Sequence, residues 1–321
     1  MIPRYDADVL PSEITTETQY EVRFNRRRFL REAAVGASVG ALTLQWPIGI
    51  AVAASPSDAL FKNVTKSPFS TSEAITPIEY ATTKTRFREL EDDIAKNAEK
   101  FETRPWKVEV VGECLKPRTF DIDDLLTLAP MEERIYRMLC TEGWSQVVPY
   151  IGYPFAELLK RVQPTGNAKF VEFTSVHNPA QLRGQREITY ISWPYVEGLR
   201  MDEAMHPLTL VALGAYGQAL PKGLGAPLAI RAPWKFGTKS PKAVVRIRLM
   251  ETQPVNVWNR HYPQYHSFWG NINPGVKPGL FSSGPSERRY GDLLKRPTLP
   301  FNGYAEHVAS MYAGMDPKVM F

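Results

Sequence analysis

The chain is short of the residues from which most metal and nucleophile sites are built. Its 321 residues include two cysteines, Cys114 and Cys140, and five histidines. Two cysteines exclude a four-cysteine zinc site, a four-cysteine iron–sulfur cluster and a disulfide scaffold. The histidines, His177, His206, His261, His266 and His307, fall at no ligand spacing such as H-E-x-x-H. There is no G-x-S-x-G elbow. Gly223-Leu224-Gly225 lacks the strand–glycine–helix setting of a dinucleotide site. Charge of one sign is also scarce: 39 Lys+Arg against 34 Asp+Glu leaves a scattered +5, which argues against nucleic acid as a partner. Beyond residue 54 no stretch of 18 apolar residues occurs, so no membrane-spanning helix is expected there.

What the chain has in excess is proline, 27 residues against 21 glycines, which favours strands, turns and loops over a helical bundle. A 43% hydrophobic and 23% charged composition is ordinarily globular and excludes disorder or coiled coil for the bulk.

The amino-terminal segment reads as an address. Asn25-Arg26-Arg27-Arg28-Phe29-Leu30-Arg31 precedes an uncharged, Gly- and Ala-rich run from Ala33 to Ala54. Charged region, weak apolar region and small residues at the end form an export signal, and the paired arginines look like the twin-arginine class. An uncleaved anchor is the competing reading, but Gln45 and Pro47 interrupt the run. The expected layout is a signal over 1–53, an extended, poorly packed lead-in with a short helix over 54–100, and one domain over 101–321. The expected location is the periplasm. Twin-arginine export carries folded proteins, which suits a cofactor inserted before export.

Within the mature chain, Phe87, Leu90, Ile94, Ala98 and Phe101 recur at helical spacing, predicting an amphipathic helix over 86–101. Strands are predicted over 106–112, 133–140, 169–174, 207–213, 226–233 and 243–249, with short helices opening near Phe120 and over 154–162. Residues 252–301 show little periodicity and read as an irregular segment. The class is α+β. Cys140 ends a predicted strand just before the loop Thr141-Glu142-Gly143-Trp144, a usual place for a site. Three readings of Cys140 stand side by side: a disulfide with Cys114, a buried small residue, or a thiolate that binds metal or attacks substrate. Lys235, Lys239 and Lys242 read as a solvated loop or as a phosphate cradle. His261, Tyr262, Tyr265 and His266 could line a pocket.

A resemblance then enters. The run from Arg134 to Pro154, with Cys140-Thr141-Glu142-Gly143-Trp144 at its centre, is similar to the cysteine region of the periplasmic protein-methionine-sulfoxide reductase catalytic subunits, sulfite-oxidase-type molybdoenzymes. It continues through 194–210, Gly225-Ala226-Pro227-Leu228, Pro233-Trp234-Lys235-Phe236-Gly237, Asn271-Ile272-Asn273-Pro274 and 297–305. The resemblance implies a sulfite-oxidase-like fold and a molybdenum centre with one molybdopterin per chain, free of a nucleotide. Cys140 becomes the single protein ligand of the metal and Glu142 its neighbour near the open coordination position. It implies a haem-containing membrane subunit as electron donor and oxidised periplasmic proteins as substrates. The export machinery is a further partner, and the chain is otherwise expected to be a monomer.

The family's cofactor cradle is matched in part. Its Asn-Asn-Phe-Tyr-Glu falls at Thr85-Arg86-Phe87-Arg88-Glu89, its Thr at Ser175, and its Asn before Gly-Ala-Pro at Leu224. Its Arg falls at Ala229, with Arg231 two residues on and on the same strand face. Its Gly-Ile-Lys becomes Ser240-Pro241-Lys242. Thr85, Arg88, Glu89, Cys140, Ser175, Arg231, Ser240, Pro241 and Lys242 are the expected cofactor contacts. Two other readings remain open: a same-fold oxotransferase for another small sulfoxide, an N-oxide or sulfite, and a cofactor-free binding protein.

Overall fold

The computed structural model of the chain describes residues 60–321, apart from 63, 92, 276–283, 292–293, 317–318 and 320–321. The export signal expected over 1–53 lies outside them. Among the described residues no helix is long and apolar enough to cross a membrane.

Two sheets carry the fold. The smaller runs β3 (Arg118–Asp121), β2 (Lys107–Gly112), β11 (Val244–Met250), β6 (Phe170–Ser175) and β7 (Val196–Arg200). β11 lies parallel to β2 and antiparallel to β6, so the sheet is mixed. The alternation in β2 and β6 buries Val108, Val110, Val171 and Phe173 on one face, as a half-buried strand should. The larger sheet runs β1 (Thr65–Lys66), β4 (Glu132–Leu139), β5 (Trp144–Pro154), β12 (Ser286–Arg289) and β13 (Lys295–Pro297). β8 (Leu210–Ala215) pairs with the far end of β5 and carries β9 (Gln218–Ala219) and β10 (Ala229–Arg231). One apolar core joins the sheets, with Ile151, Tyr153 and Val211 from the larger meeting Phe173, Ile247 and Leu249 from the smaller.

Mixed sheets with short helices between them are the expected α+β class. The helix at Phe155–Val162 forms as predicted, with Glu157 in its first turn and Lys160 and Arg161 in its last. The helix expected over 86–101 does not: only Ile94–Ala98 is helical, capped by Asp93, while 85–90 is irregular. Its periodic apolar residues are nevertheless buried, Phe87 and Leu90 completely. They anchor a loop instead, because Gly184 admits the backbone: a Cβ there would sit 1.8 Å from the Arg88 oxygen, and Gly184 N donates to the Glu89 carbonyl at 2.9 Å. The lead-in is also better packed than expected. Phe61 is buried, and Thr76 exchanges hydrogen bonds with Val147 in β5. The irregular reading of 252–301 is corrected by a helix at Val257–His261 and by β12 and β13.

Candidate active site

Cys140 sits at the tip of the hairpin that joins β4 to β5. Cys140 N donates to the Trp144 carbonyl at 2.8 Å, and Gly143 N donates to the Cys140 carbonyl at 3.0 Å. Gly143 takes φ +80°, a conformation that favours glycine, so the tight turn needs it. The half-buried thiol opens into a cleft with about 100 Å³ open to the centre of a water molecule and about 950 Å³ of free space out to its mouth.

Segments far apart in the sequence wall this cleft. The 85–89 loop contributes Thr85, Arg86, Arg88 and Glu89, and β10 contributes Arg231. Ser240, Pro241 and Lys242 follow from the loop before β11, and an aromatic group of Trp144, Tyr150, Tyr195, Trp258 and Tyr290 completes the wall. Of the ten expected site residues, eight line the cleft. Ser175 lies fully buried behind Glu89, and Glu142 stands outside the lining. The Glu142 carboxylate is held by Arg86 Nε at 2.9 Å and by Arg88 at 2.8 Å. Arg86 and Arg88 both turn to Glu142 and clamp the Cys140 turn to the 85–89 loop. Glu142 is therefore a strut of this turn.

Arg231 is buried and ties the walls together. It donates to the Leu224 carbonyl and, at 3.3 Å, to the Ser240 carbonyl, with its guanidinium 4.8 Å from the Tyr150 ring. Lys242 reaches the cleft because Gly225, at φ +99°, has no side chain. A Cβ there would lie 2.6 Å from the lysine's own Cβ and Cγ. Burial, reinforced by Arg231, pulls the Lys242 ammonium below its usual range, and burial pushes Glu89 above the carboxylate range against the pull of backbone hydrogen bonds and of Lys242. The Cys140 thiol is pushed up by burial and by Glu142, against Arg88 and Arg86.

The donor set fits an anionic, heteroatom-rich group that brings its own metal ligands. Ser240 Oγ and Gln146 Oε1 are buried without a hydrogen-bond partner among the described residues, and both residues line the cleft. Arg231 and Lys242 supply positive charge beside them. Among the described residues no three His, Cys, Asp or Glu side chains gather as a metal cage. Cys140 is thus a lone soft donor whose metal needs its other donors from a non-protein group.

Several readings change. Cys114 and Cys140 are both free, so the disulfide reading falls. Cys114 lies in the turn after β2, its N donating to the Gly112 carbonyl. Lys235 and Lys239 are neither solvated nor a cradle: they are buried against Glu203 and Glu197. Of the group at 261–266, only His266 lines the cleft. The sequence reading missed Gln146, Tyr150, Trp144 and Tyr290. Trp144, Gln146 and Tyr150 share one parity in β5, and a strand counted from the Cys140 turn places them on one face. Tyr290, stacked on Trp144 at 5.0 Å, comes from a segment with no periodic signal.

A model of the oxidoreductase molybdopterin binding domain matches residues 95–258, which include Cys140 and Lys242. The protein-methionine-sulfoxide reductase catalytic subunit MsrP of Burkholderia mallei (strain ATCC 23344) is 45% identical over 324 residues, 98% of this chain and 96% of that protein. Its counterpart from Ralstonia nicotianae (strain ATCC BAA-1114 / GMI1000) is 43% identical over 326 residues, with the same shares covered. Among solved structures, the sulfane dehydrogenase SoxCD of Paracoccus pantotrophus aligns at TM-score 0.41 and 17% identity, over 60% of this chain and 50% of that one.

Proposed function

This chain belongs to the molybdopterin-binding oxidoreductase family, and on that footing we propose that it is a catalytic subunit that reduces methionine sulfoxide in proteins. The carrying observation is Cys140 in a cleft whose other walls present Arg231, Lys242 and two unpartnered polar atoms. When bound, molybdenum on molybdopterin supplies two-electron oxygen-atom transfer to this cleft.

The chain's own residues prepare that chemistry. Cys140 offers one thiolate from a rigid turn. Arg86, Arg88 and Glu142 fix the turn's position relative to the 85–89 loop. Lys242 and Arg231 would hold the cofactor's anionic part, with Ser240 and Gln146 as its hydrogen-bond partners. Trp144, Tyr290, Trp258 and Tyr195 give the cleft apolar walls that suit a thioether side chain. The reaction takes up two electrons and two protons and releases methionine and water.

The remaining parts of the proposal are the setting: twin-arginine export to the periplasm, a haem-containing membrane subunit as electron donor, and one nucleotide-free molybdopterin per monomeric chain. The leader at 26–31 supports export. Metal analysis of protein exported from a host that makes the cofactor tests the reading. About one molybdenum per chain is expected, and a chain without molybdenum overturns it. Leu224 and Ala229 stand where the family carries Asn and Arg, which makes another oxo substrate the second reading. Comparing rates on oxidised protein, dimethyl sulfoxide, an N-oxide and sulfite separates the two.

A further inference from the structure

The tyrosines that wall the cleft are used differently. The Tyr195 hydroxyl donates to the Thr238 carbonyl at 2.8 Å. Tyr150 is buried with its ring 4.8 Å from the Arg231 guanidinium, on the side given above to the cofactor. Tyr290 is half-exposed, and its hydroxyl makes no hydrogen bond to another described residue. Its neighbour Trp144 is half-exposed too, and Trp144 Nε1 is likewise without a partner among the described residues.

These two rings form one built unit. They stack with centroids 5.0 Å apart and planes 2° from parallel. Both are fixed to the Cys140 turn through the backbone. Cys140 N donates to the Trp144 carbonyl at 2.8 Å, Arg288 N to the Gly143 carbonyl at 2.7 Å and Tyr290 N to the Ser145 carbonyl at 2.9 Å. Arg289, between the last two donors, is anchored by Glu73 at 2.8 Å and by Ser145 Oγ at 3.2 Å. The phenol lies within electrostatic reach of Cys140, Arg86 and Glu142, and burial pushes it above its usual value, so it stays a donor at neutral pH.

A methionine sulfoxide side chain ends in two unlike parts. Its methyl group and sulfur suit an aromatic face. Its oxygen is a strong acceptor that needs a donor once it leaves water. We propose that the Trp144–Tyr290 stack reads the sulfoxide: the rings receive the S-methyl end, and the Tyr290 hydroxyl donates to the sulfoxide oxygen. The inference rests on the proposed sulfoxide reduction and names the residue that separates substrate from product. Methionine has lost the acceptor, so it leaves the hydroxyl unmatched and binds less well.

The test uses the loaded, full enzyme and its Tyr290→Phe and Tyr290→Leu variants, with reduced benzyl viologen as electron source and N-acetylmethionine sulfoxide as substrate. Binding is read separately by calorimetry with two compounds. N-acetylmethionine sulfone keeps an oxygen acceptor and is not reduced; N-acetylmethionine has none. Tyr290→Phe keeps the ring and loses the hydroxyl. It raises KM for the sulfoxide and Kd for the sulfone about five- to tenfold, with kcat within about twofold and affinity for N-acetylmethionine unchanged. Its molybdenum content and Tm match the parent. Tyr290→Leu loses the stack as well, and affinity for all three compounds falls, by about tenfold beyond the Phe variant. A Tyr290→Phe enzyme that binds the sulfone as the parent does, that loses sulfone and thioether affinity alike, or that loses molybdenum overturns the role of the hydroxyl. Parent affinities in Tyr290→Leu overturn the stack as a binding face. Each of these leaves the proposed function standing. A parent that carries molybdenum but reduces no methionine sulfoxide, free or in protein, overturns the proposed function and this inference with it.

Discussion

Two sets of cations lie in the stretch from Arg231 to Lys242, and they are used in opposite ways. Lys235 is fully buried, and its ammonium donates to Glu203 at 2.6 Å, to the Trp269 carbonyl at 2.8 Å and to Asn271 at 2.8 Å. Lys239 is equally saturated by Glu197, the Gly198 carbonyl and the Phe268 carbonyl. Lys242, three residues on, makes one hydrogen bond among the described residues, to the Arg86 carbonyl at 3.0 Å, and turns the rest of its charge to the cleft. A buried charge with all its donors matched belongs to the scaffold. A half-buried one left half-matched beside orphaned acceptors reports a ligand.

The largest effect expected from this contrast is at the cleft floor. Cys140→Ser takes sulfoxide reduction to background and removes molybdenum from the isolated protein, while the cofactor-free variant melts within about 2 °C of the cofactor-free parent. Retained activity removes Cys140 as the metal's ligand.

The saturated set responds the other way. Lys235→Met leaves Glu203 buried with Tyr312 and the Arg200 N–H but without its cation. Breaking such a pair costs about 3–5 kcal/mol, a fall in Tm on the order of 10 °C for a chain of this size. An unchanged Tm by calorimetry means that this pair does not support the fold.

The contrast also explains what the sequence could show. β6 and β11 were legible because buried residues alternate with more exposed ones along them, and the Cys140 loop was legible by its place at a strand end. β5 was not: it is buried on both faces and carries Pro149 and Gly152, so no period-two pattern survives. Phe87 and Leu90 repeat at helical spacing yet anchor a loop, since tertiary packing on Gly184 overrides local propensity. Lys235, Lys239 and Lys242 are the same residue type in one short stretch. Only their distant partners Glu203, Glu197 and Arg86 distinguish them, and those meetings are set by the sheets.

Lys242→Ala should then be nearly silent in the cofactor-free protein, within about 1 kcal/mol, because little is matched that can be lost. Its effect is on retention: molybdenum lost on gel filtration rises relative to the parent. Equal retention removes Lys242 from the cradle. A large loss of stability without cofactor places it with Lys235 instead.

An intermediate case gives the finest test. Glu73, in the lead-in, meets Arg137 of β4 at 2.7 Å and Arg289 of β12 at 2.8 Å, and both arginines also approach the buried Glu287, at 3.9 and 3.5 Å. Burial pushes the Glu73 carboxyl up, but Arg137 and Arg289 outweigh it and hold the group below its usual value. A depressed carboxylate contributes stability that is fully present above its unfolded pKa and is lost as pH falls through its folded one. Glu73→Gln therefore lowers Tm most near neutral pH, and the gap to the parent closes as the pH falls toward about 3. The effect is smaller than at Lys235 because Glu73 is half-exposed, and water screens what the arginines supply. A gap that stays constant with pH means that Glu73 acts by packing alone. The cluster then belongs to neither set, since its charges are near each other without being coupled.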